Sequence, residues 1–251
     1  MLKNWWKVVC VLLLVYVFIN GFLGPVPRLN ILNETIRNLF FHVGMWFGMI
    51  ALMITSVVYG IKGLVTKKIE FDIKSAEFAH VGVLYGVLGI LTGMLWGRYT
   101  WGSFWPDDPK IHGAAITVLI YLAYFILRAG IPDIEKRARV SSSYNIFAFV
   151  LLVLFLIVYP RIAPSLHPGN GGNPGFNTYD LDSSLRMIFY PAIIGWILLG
   201  VWMAQVRFKS SLVANNKLLN FFEIHSSLII FDFLVFSLTF GFLKHVLYSC
   251  N

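Results

Sequence analysis

Six apolar stretches recur along this chain of 251 residues, and each has about the length that crosses a lipid bilayer as a single helix. They lie at Trp5–Leu23, Phe40–Gly60, Ala79–Trp96, Ile111–Leu127, Tyr144–Pro160 and Met187–Val206. Charged residues make up only 13% of the chain, against roughly 25% in a soluble domain. The sequence therefore predicts an all-α fold, a polytopic membrane helix bundle with six transmembrane helices.

The two ends of the chain raise separate questions. Gly24-Pro25-Val26-Pro27 follows the first stretch where a signal peptide would have a small-residue cleavage site, so we expect an uncleaved span. A candidate seventh span, Ile224–Leu243, contains Asp232, and a carboxylate inside a bilayer is costly. We expect residues 1–214 to form the six-span domain and residues 215–251 an atypical tail that holds the candidate extra span.

The distribution of basic residues predicts the orientation, because Lys and Arg concentrate in cytoplasmic loops. With the N-terminus inside, 13 of the 20 Lys and Arg residues fall in inner segments. The outer ones are Arg28, Arg37, Arg98, Lys110, Arg161, Arg186 and, if the tail crosses, Lys244. This topology accounts for the net charge of +8, so we expect no nucleic-acid partner.

Sequence patterns of several enzyme classes are missing. The two cysteines, Cys10 and Cys250, lie far apart and neither belongs to a C-x-x-C motif, which argues against a disulfide framework or a thiol–disulfide enzyme. The chain also has no P-loop, H-E-x-x-H or G-x-S-x-G motif. We therefore expect a protein that is not an enzyme, and any energy coupling would need a partner.

The inner loops predict little chemistry. The stretches IKGLVTKKIEFDIKSAEFAH and RAGIPDIEKRARVSSS mix charges of both signs, which is typical of solvated linkers. Ser141–Ser143 would then cap the start of the fifth helix.

Three tryptophans stand together on the predicted outer side, in the stretch WGRYTWGSFWPDDPK. Trp101 and Trp105 are four residues apart and would share a face if the segment were helical. Asp108-Pro109 predicts a helix start, with Asp108 as the cap and Pro109 at the first position. The tryptophans fit either an aromatic belt at the membrane interface or an aromatic surface for a flat apolar ligand.

Haem would suit such a surface, and its iron takes neutral imidazoles as axial ligands. His42, His112 and His167 fall on the predicted outer side, whereas His80 and His225 fall on the inner side. Each histidine taken alone is explained as well by a polar residue at the membrane interface.

The tryptophan stretch resembles the tryptophan-rich WWD signature of the CcmC and CcsA haem-handling family of cytochrome c maturation. NLFFHVGMW around His42 and PSLHPG around His167 are similar to the family's two histidine segments. The resemblance covers roughly Ile36 to Gln205, and the six-span layout matches CcmC. One departure is Asp107, which stands where the family usually has its last tryptophan.

The resemblance implies a site for non-covalent haem b at the outer face. His42 and His167 match the axial ligands. The positions that match the signature are Trp96, Gly97, Trp101, Gly102, Trp105 and Asp108. The basic residues Arg98, Lys110 and Arg161 could pair with the haem propionates.

It also implies a place in the cell. We expect a multi-pass protein of a bacterial inner membrane, with a cytoplasmic N-terminus and membrane lipid around it. The expected partners are a periplasmic haem chaperone or cytochrome c synthetase components, with transporter subunits as further candidates.

Two alternatives stay open from the residues. A b-type electron carrier would pair histidines inside facing spans, usually on more than one level. A solute permease would have broken or polar spans near the bilayer midplane.

Overall fold

A computed structural model describes residues 4–27, 32–167 and 181–216, with side chains in the last helix up to Val213. Within these ranges the chain is helical and has no strand. The helices are α1 (Trp5–Leu23), α2 (Gly44–Thr66), α3 (Ile69–Trp101), α4 (Pro109–Ala129), α5 (Ile134–Leu152), α6 (Tyr159–Ile162) and α7 (Ser183–Asn216). A 3₁₀ turn (Asn33–Asn38) and a π-helical turn (Leu39–Val43) lead into α2, and a second π-helical turn (Val153–Val158) joins α5 to α6.

Six segments are long and apolar enough to cross a membrane, which confirms the predicted all-α six-span bundle. They are Trp5–Leu23, Asn33–Thr66, Ile69–Trp101, Pro109–Ala129, Ile134–Ile162 and Ser183–Val213. The candidate seventh span lies outside the described residues. The proposed division at residue 214 stays a prediction, since α7 itself continues to Asn216.

The predicted solvated linker before the third span is wrong. Helix α3 has 33 residues, so it is about 50 Å long, and it takes up most of that segment. Two of its three acidic residues are buried and paired across helices: Asp72 forms a bidentate ion pair with Arg128 of α4 at 2.7 and 2.5 Å. Glu77 accepts from Arg207 of α7 at 2.8 Å. These pairs allow charged residues to lie inside the bundle, and composition alone could not reveal the partners.

The second predicted linker is partly helical as well. Helix α5 begins at Ile134, where the Asp133 carboxylate caps it by accepting from the backbone N–H of Lys136 at 2.7 Å. The prediction that Ser141–Ser143 cap this helix is therefore wrong. Ser141 and Ser142 lie within α5 and are buried, because an acidic cap earlier in the chain already satisfies the first turn.

Helix α2 lies at the centre of the bundle, packed against α3, α5 and α7. Trp196 of α7 donates from its indole nitrogen to the Phe40 carbonyl at 3.0 Å, and Tyr85 of α3 donates to the Trp196 carbonyl at 2.9 Å. Phe40 belongs to the π-helical turn before α2, where the wider coil changes the backbone pairing. These contacts fix the turn that contains His42.

Candidate haem-binding site

His42 lies in the π-helical turn and contacts α3. Its Nδ1 is 2.9 Å from Oγ1 of Thr92, a fully buried residue. Gly93 makes this approach possible, since a β-carbon there would come within 2.7 Å of His42 Cε1. The ring is therefore held against the backbone of α3 at a defined height.

Two tryptophans lie beside His42, and one of them is Trp46, whose ring centroid is 6.2 Å from that of His42. The Trp96 and His42 rings meet edge to face, with centroids 5.8 Å apart. The Trp96 indole nitrogen donates to Oγ1 of Thr35 at 3.1 Å, which fixes the ring against the 3₁₀ turn. The first tryptophan of the signature is thus a neighbour of the first histidine.

Helix α3 ends at Trp101, because Gly102 adopts a left-handed conformation with φ of 78°. The buried Gly97 lies beneath the turn that follows, where a β-carbon would stand 3.2 Å from the Ser103 carbonyl oxygen. Trp105 therefore lies outside the helix. Trp101 and Trp105 do not share a helical face, as they would if the helix continued.

Asp108 caps α4 as predicted, with Pro109 as the first helical residue. Its Oδ1 accepts from the backbone N–H of Lys110 at 2.9 Å. Its Oδ2 accepts from the backbone N–H of Leu166 at 2.6 Å and from the hydroxyl of Ser165 at 2.8 Å. This buried carboxylate therefore joins the start of α4 to the segment after α6.

The same carboxylate holds His167. Nδ1 of His167 lies 3.1 Å from Oδ1 of Asp108. The His167 ring also lies against Trp101, with centroids 4.8 Å apart and the planes inclined by 59°. The second histidine therefore has both a carboxylate partner and an aromatic neighbour.

Burial and local charges set the protonation of this pair. Burial lowers the pKa of His167 below its ordinary value, and the opposing effect of Asp108 does not reverse this. Burial alone would raise the pKa of Asp108, but the hydrogen bonds from Leu166 and Ser165 and the nearby His167 hold it below its ordinary value. At neutral pH the site thus contains a neutral imidazole, the form that binds metals, beside a carboxylate.

The two histidines lie at the same end of the bundle. Both contact the last part of α3, His42 at Thr92 and His167 at Trp101. Each contacts a polar partner through Nδ1, so Nε2 is the ring nitrogen that could bind a metal. Each also has its own tryptophan, Trp96 beside His42 and Trp101 beside His167.

The basic residues of the predicted site have varied surroundings. Arg98 is exposed, donates to the Gly102 carbonyl and lies over the Phe104 ring at 5.8 Å. Lys110 is partly buried, where the charges of Asp108 and Arg161 act on it. Arg98 thus has a local role in closing α3, whereas Lys110 follows the Asp108 cap at the start of α4.

Trp105 belongs to a different group of residues. Its partly exposed ring faces His112, with centroids 6.1 Å apart. His112 in turn lies 3.7 Å from the fully exposed carboxylate of Asp107. The structure therefore does not bring Trp105 against either of the two site histidines.

Thr92, Thr35 and Ser165 are site residues that the sequence analysis missed. Thr92 lies one helical turn before Trp96, and this spacing on α3 was the available signal. Ser165 stands two residues before His167 and bonds both the His167 backbone N–H and Asp108. The contact of Thr35 with Trp96 spans 61 positions and has no local signature.

The donor set fits haem better than a bare metal ion. In the described part of the chain, no three His, Cys, Asp or Glu side chains come together as ligands for an ion. Haem brings four nitrogen ligands of its own and needs only axial donors from the protein. Two imidazoles with engaged Nδ1 atoms and adjacent indole rings meet that need.

Comparison with known proteins agrees with this chemistry. The family model described as Heme exporter protein C matches residues 1–220. The Heme exporter protein C of Escherichia coli K12 is 20% identical over 215 residues, covering 85% of this chain and 84% of that protein. The Heme exporter protein C of Bradyrhizobium diazoefficiens is 29% identical over 111 residues, covering 44% of this chain and 42% of that protein.

A plant relative matches a shorter part. The cytochrome c biogenesis protein CcsA of Pelargonium hortorum is 36% identical over 90 residues, which are 36% of this chain and 26% of that protein. The family model, in contrast, matches residues 1–220, a range that includes all six membrane-spanning segments. This chain therefore belongs to the Heme exporter protein C family.

Proposed function

We propose that this protein holds haem b non-covalently at the outer end of its helix bundle and hands it over during cytochrome c maturation. The family to which the chain belongs takes part in haem delivery for this process. The observation that supports the site most strongly is the matched pair of histidines. Each is bonded through Nδ1 and lies beside a tryptophan of the signature.

Haem supplies an iron with two open axial positions and a flat apolar ring bearing two carboxylates. His42 and His167 would bind the iron through Nε2. Trp96 and Trp101 would contact the apolar ring, where aromatic contacts stabilise a flat ligand beyond simple burial. Lys110 and Arg161 would pair with the haem carboxylates.

The protein's own contribution is binding and release. Asp108 orients His167 and holds the segment after α6 to the start of α4. The Arg98 side chain and Gly102 close the end of α3 beside Trp101. These residues need not make or break any covalent bond within haem, so the proposal involves no enzymatic step.

The orientation follows from the distribution of basic residues. The site lies at the end of the bundle opposite the ion pairs of Asp72 and Glu77, which would lie toward the cytoplasm. The N-terminus would then be cytoplasmic, and the haem would face the periplasm of a bacterium with this inner-membrane protein. The recipient would be a periplasmic haem chaperone or a cytochrome c synthetase component, with transporter subunits as further partners.

The described histidines give less support to a b-type electron carrier. His80 stacks on Phe125, with ring centroids 4.1 Å apart, and His112 faces Asp107. Neither forms a second facing pair within the residues that the structure describes. Electron transfer across the membrane would favour haem groups on two levels, and the described ranges offer no second pair of histidines for this.

Visible spectroscopy of the purified full-length protein tests the proposal. The wild type is expected to show a low-spin haem spectrum. His42→Ala and His167→Ala should each retain haem weakly with a shifted spectrum, and added imidazole should partly restore both. The double variant should lose most of the haem, because both iron bonds are gone while the tryptophans remain.

His112→Ala is the matched control, since it removes a histidine at the same end of the bundle. Its haem content and spectrum should equal those of the wild type. Unaltered spectra in both site variants, together with loss of haem from the His112 variant, would show that ligation runs through the start of α4 instead.

A further inference from the structure

We propose that Thr92 is a positioning residue that fixes the tautomer of His42, and that the two histidines are consequently unequal ligands, with His42 the one that leaves iron first. This inference rests on the proposed function. It concerns how the two sides of the site differ, which neither the family match nor the signature addresses.

The hydrogen bonds of Thr92 define the tautomer. Its hydroxyl lies 2.8 Å from the Leu88 carbonyl oxygen and 3.1 Å from the Gly89 carbonyl oxygen, both of which only accept. The single hydroxyl proton is therefore directed at the α3 backbone. The oxygen lone pair accepts from His42 Nδ1, 2.9 Å away. His42 is then protonated at Nδ1, and its Nε2 lone pair is open for iron.

The surroundings make Thr92 hard to replace by solvent. Thr92 is fully buried, and the Asn38 side-chain amide donates to its backbone carbonyl at 3.2 Å. Gly93 beside it leaves just enough space for the His42 ring. Without the hydroxyl, no water could easily take its place, and the ring would lose its side-chain hydrogen bond to α3.

His167 has a partner of different strength. The carboxylate of Asp108 accepts at Nδ1, and it is itself fixed by the backbone N–H groups of Leu166 and Lys110. A carboxylate makes a bonded imidazole a better electron donor than a neutral hydroxyl does, and such partners commonly tune metal ligands. His167 is accordingly the stronger ligand and His42 the weaker.

This difference assigns an order to release. Handing over a molecule held on two sides requires one iron bond to open before the other. The bond to His42 opens first, while Asp108 keeps His167 in place. The recipient protein then meets haem that is still bound to His167, in the segment after α6.

Carbon monoxide binding to the reduced, haem-loaded protein measures the step directly, because CO can bind only after an axial ligand has left. Thr92→Val removes the hydroxyl with little change in shape and should raise the CO association rate about 10- to 100-fold, the usual scale for loss of such a partner. Thr92→Ser keeps the hydroxyl and should stay close to the wild-type rate. Thr92→Ala provides a second hydroxyl-free variant if the valine protein is produced poorly.

A His42→Ala background shows where Thr92 acts. In that protein the CO position is already open, so adding Thr92→Val should leave the rate unchanged. A CO rate in Thr92→Val and Thr92→Ala equal to the wild type would overturn the inference. So would an equal effect of Thr92→Val in the presence and absence of His42, since Thr92 would then act elsewhere.

These outcomes are separate from failure of the proposed function. If single and double histidine variants keep the wild-type haem spectrum, the ligand assignment itself fails. If the histidine variants behave as expected and only the threonine variants do not, the function stands and the unequal ligation is wrong.

Discussion

Nδ1 of His167 lies 3.1 Å from Oδ1 of Asp108, although 58 residues separate them in the chain. The same carboxylate caps α4 and accepts from the Leu166 backbone. One buried side chain thus ends a loop, starts a helix and orients a histidine. A signature aspartate that has a purely local explanation in the sequence acquires a second role through the fold.

Asp108→Asn tests that role. Asparagine is an equally good helix cap, but its amide group would place a donor toward Leu166 or His167. We expect haem affinity to fall about 10- to 100-fold and the reduction potential to rise, because the imidazole donates less to iron. Potentiometric titration and haem binding measure both effects. The neighbouring, exposed Asp107→Asn is the control and should leave both values unchanged; equal effects of the two variants would contradict the assignment.

Trp101→Ala and Trp105→Ala form a matched pair. Trp101 contacts the His167 ring, whereas Trp105 lies beside His112. Loss of Trp101 should lower haem affinity about 3- to 10-fold, the scale of one aromatic contact, without changing the ligand spectrum. Trp105→Ala should have a smaller effect. Equilibrium haem titration distinguishes them, and a larger loss for Trp105→Ala would place the ligand farther along the loop than we propose.

Haem binding should tolerate mild acid. The lowered pKa of His167 keeps its imidazole neutral below the ordinary value of 6.5, and only the neutral ring can bind iron. Affinity should be flat from pH 8 to 6.5 and should fall only as the pH drops through the folded pKa. The folding stability contributed by His167 begins to decrease earlier, as the pH falls below 6.5, because the unfolded state then binds a proton that the folded state does not. This decrease levels off below the folded pKa. A decline in affinity already between pH 7.5 and 6.5 would show a raised pKa instead.

Cysteine labelling tests the orientation. In a Cys250→Ser protein, where Cys10 is buried, exposed reporter positions are Ser103→Cys and Leu166→Cys at the site end and Lys67→Cys at the other. An impermeant maleimide added to intact spheroplasts should label the first two but not the third. Labelling of Ser103→Cys or Leu166→Cys only after permeabilisation would invert the topology and remove the periplasmic site.

Arg128→Met tests the ion pair at the opposite end. The Asp72 side chain is nearly fully buried in this pair, so removing its partner should destabilise the protein by about 3–5 kcal/mol. The double variant Asp72→Asn/Arg128→Met should recover most of that loss, since no charge is left unpaired. Unfolding in SDS titrations measures both. A double variant as unstable as the single one would mean that packing of Arg128, not charge pairing, supports this end.

The sequence by itself determined the elements that depend on local chemistry. The six spans follow from apolar length, because a bilayer sets the number of residues that one crossing needs. The start of α4 follows from Asp108 and Pro109, because capping and a preset φ act within a few residues. The sequence motifs around His42 and His167 suggest a haem-handling family, because such motifs are short and can be recognised without the fold.

Only the tertiary structure decided how these parts meet. Gly102 ends α3 and turns Trp105 away from Trp101, which a spacing of four residues could not show. Thr92 reaches His42 and Asp108 reaches His167 only because packed helices bring distant positions within hydrogen-bonding range. Apolar periodicity fixes which segments lie in the membrane, but the pairing of buried polar groups depends on helix position and rotation, which are set by packing across the whole bundle.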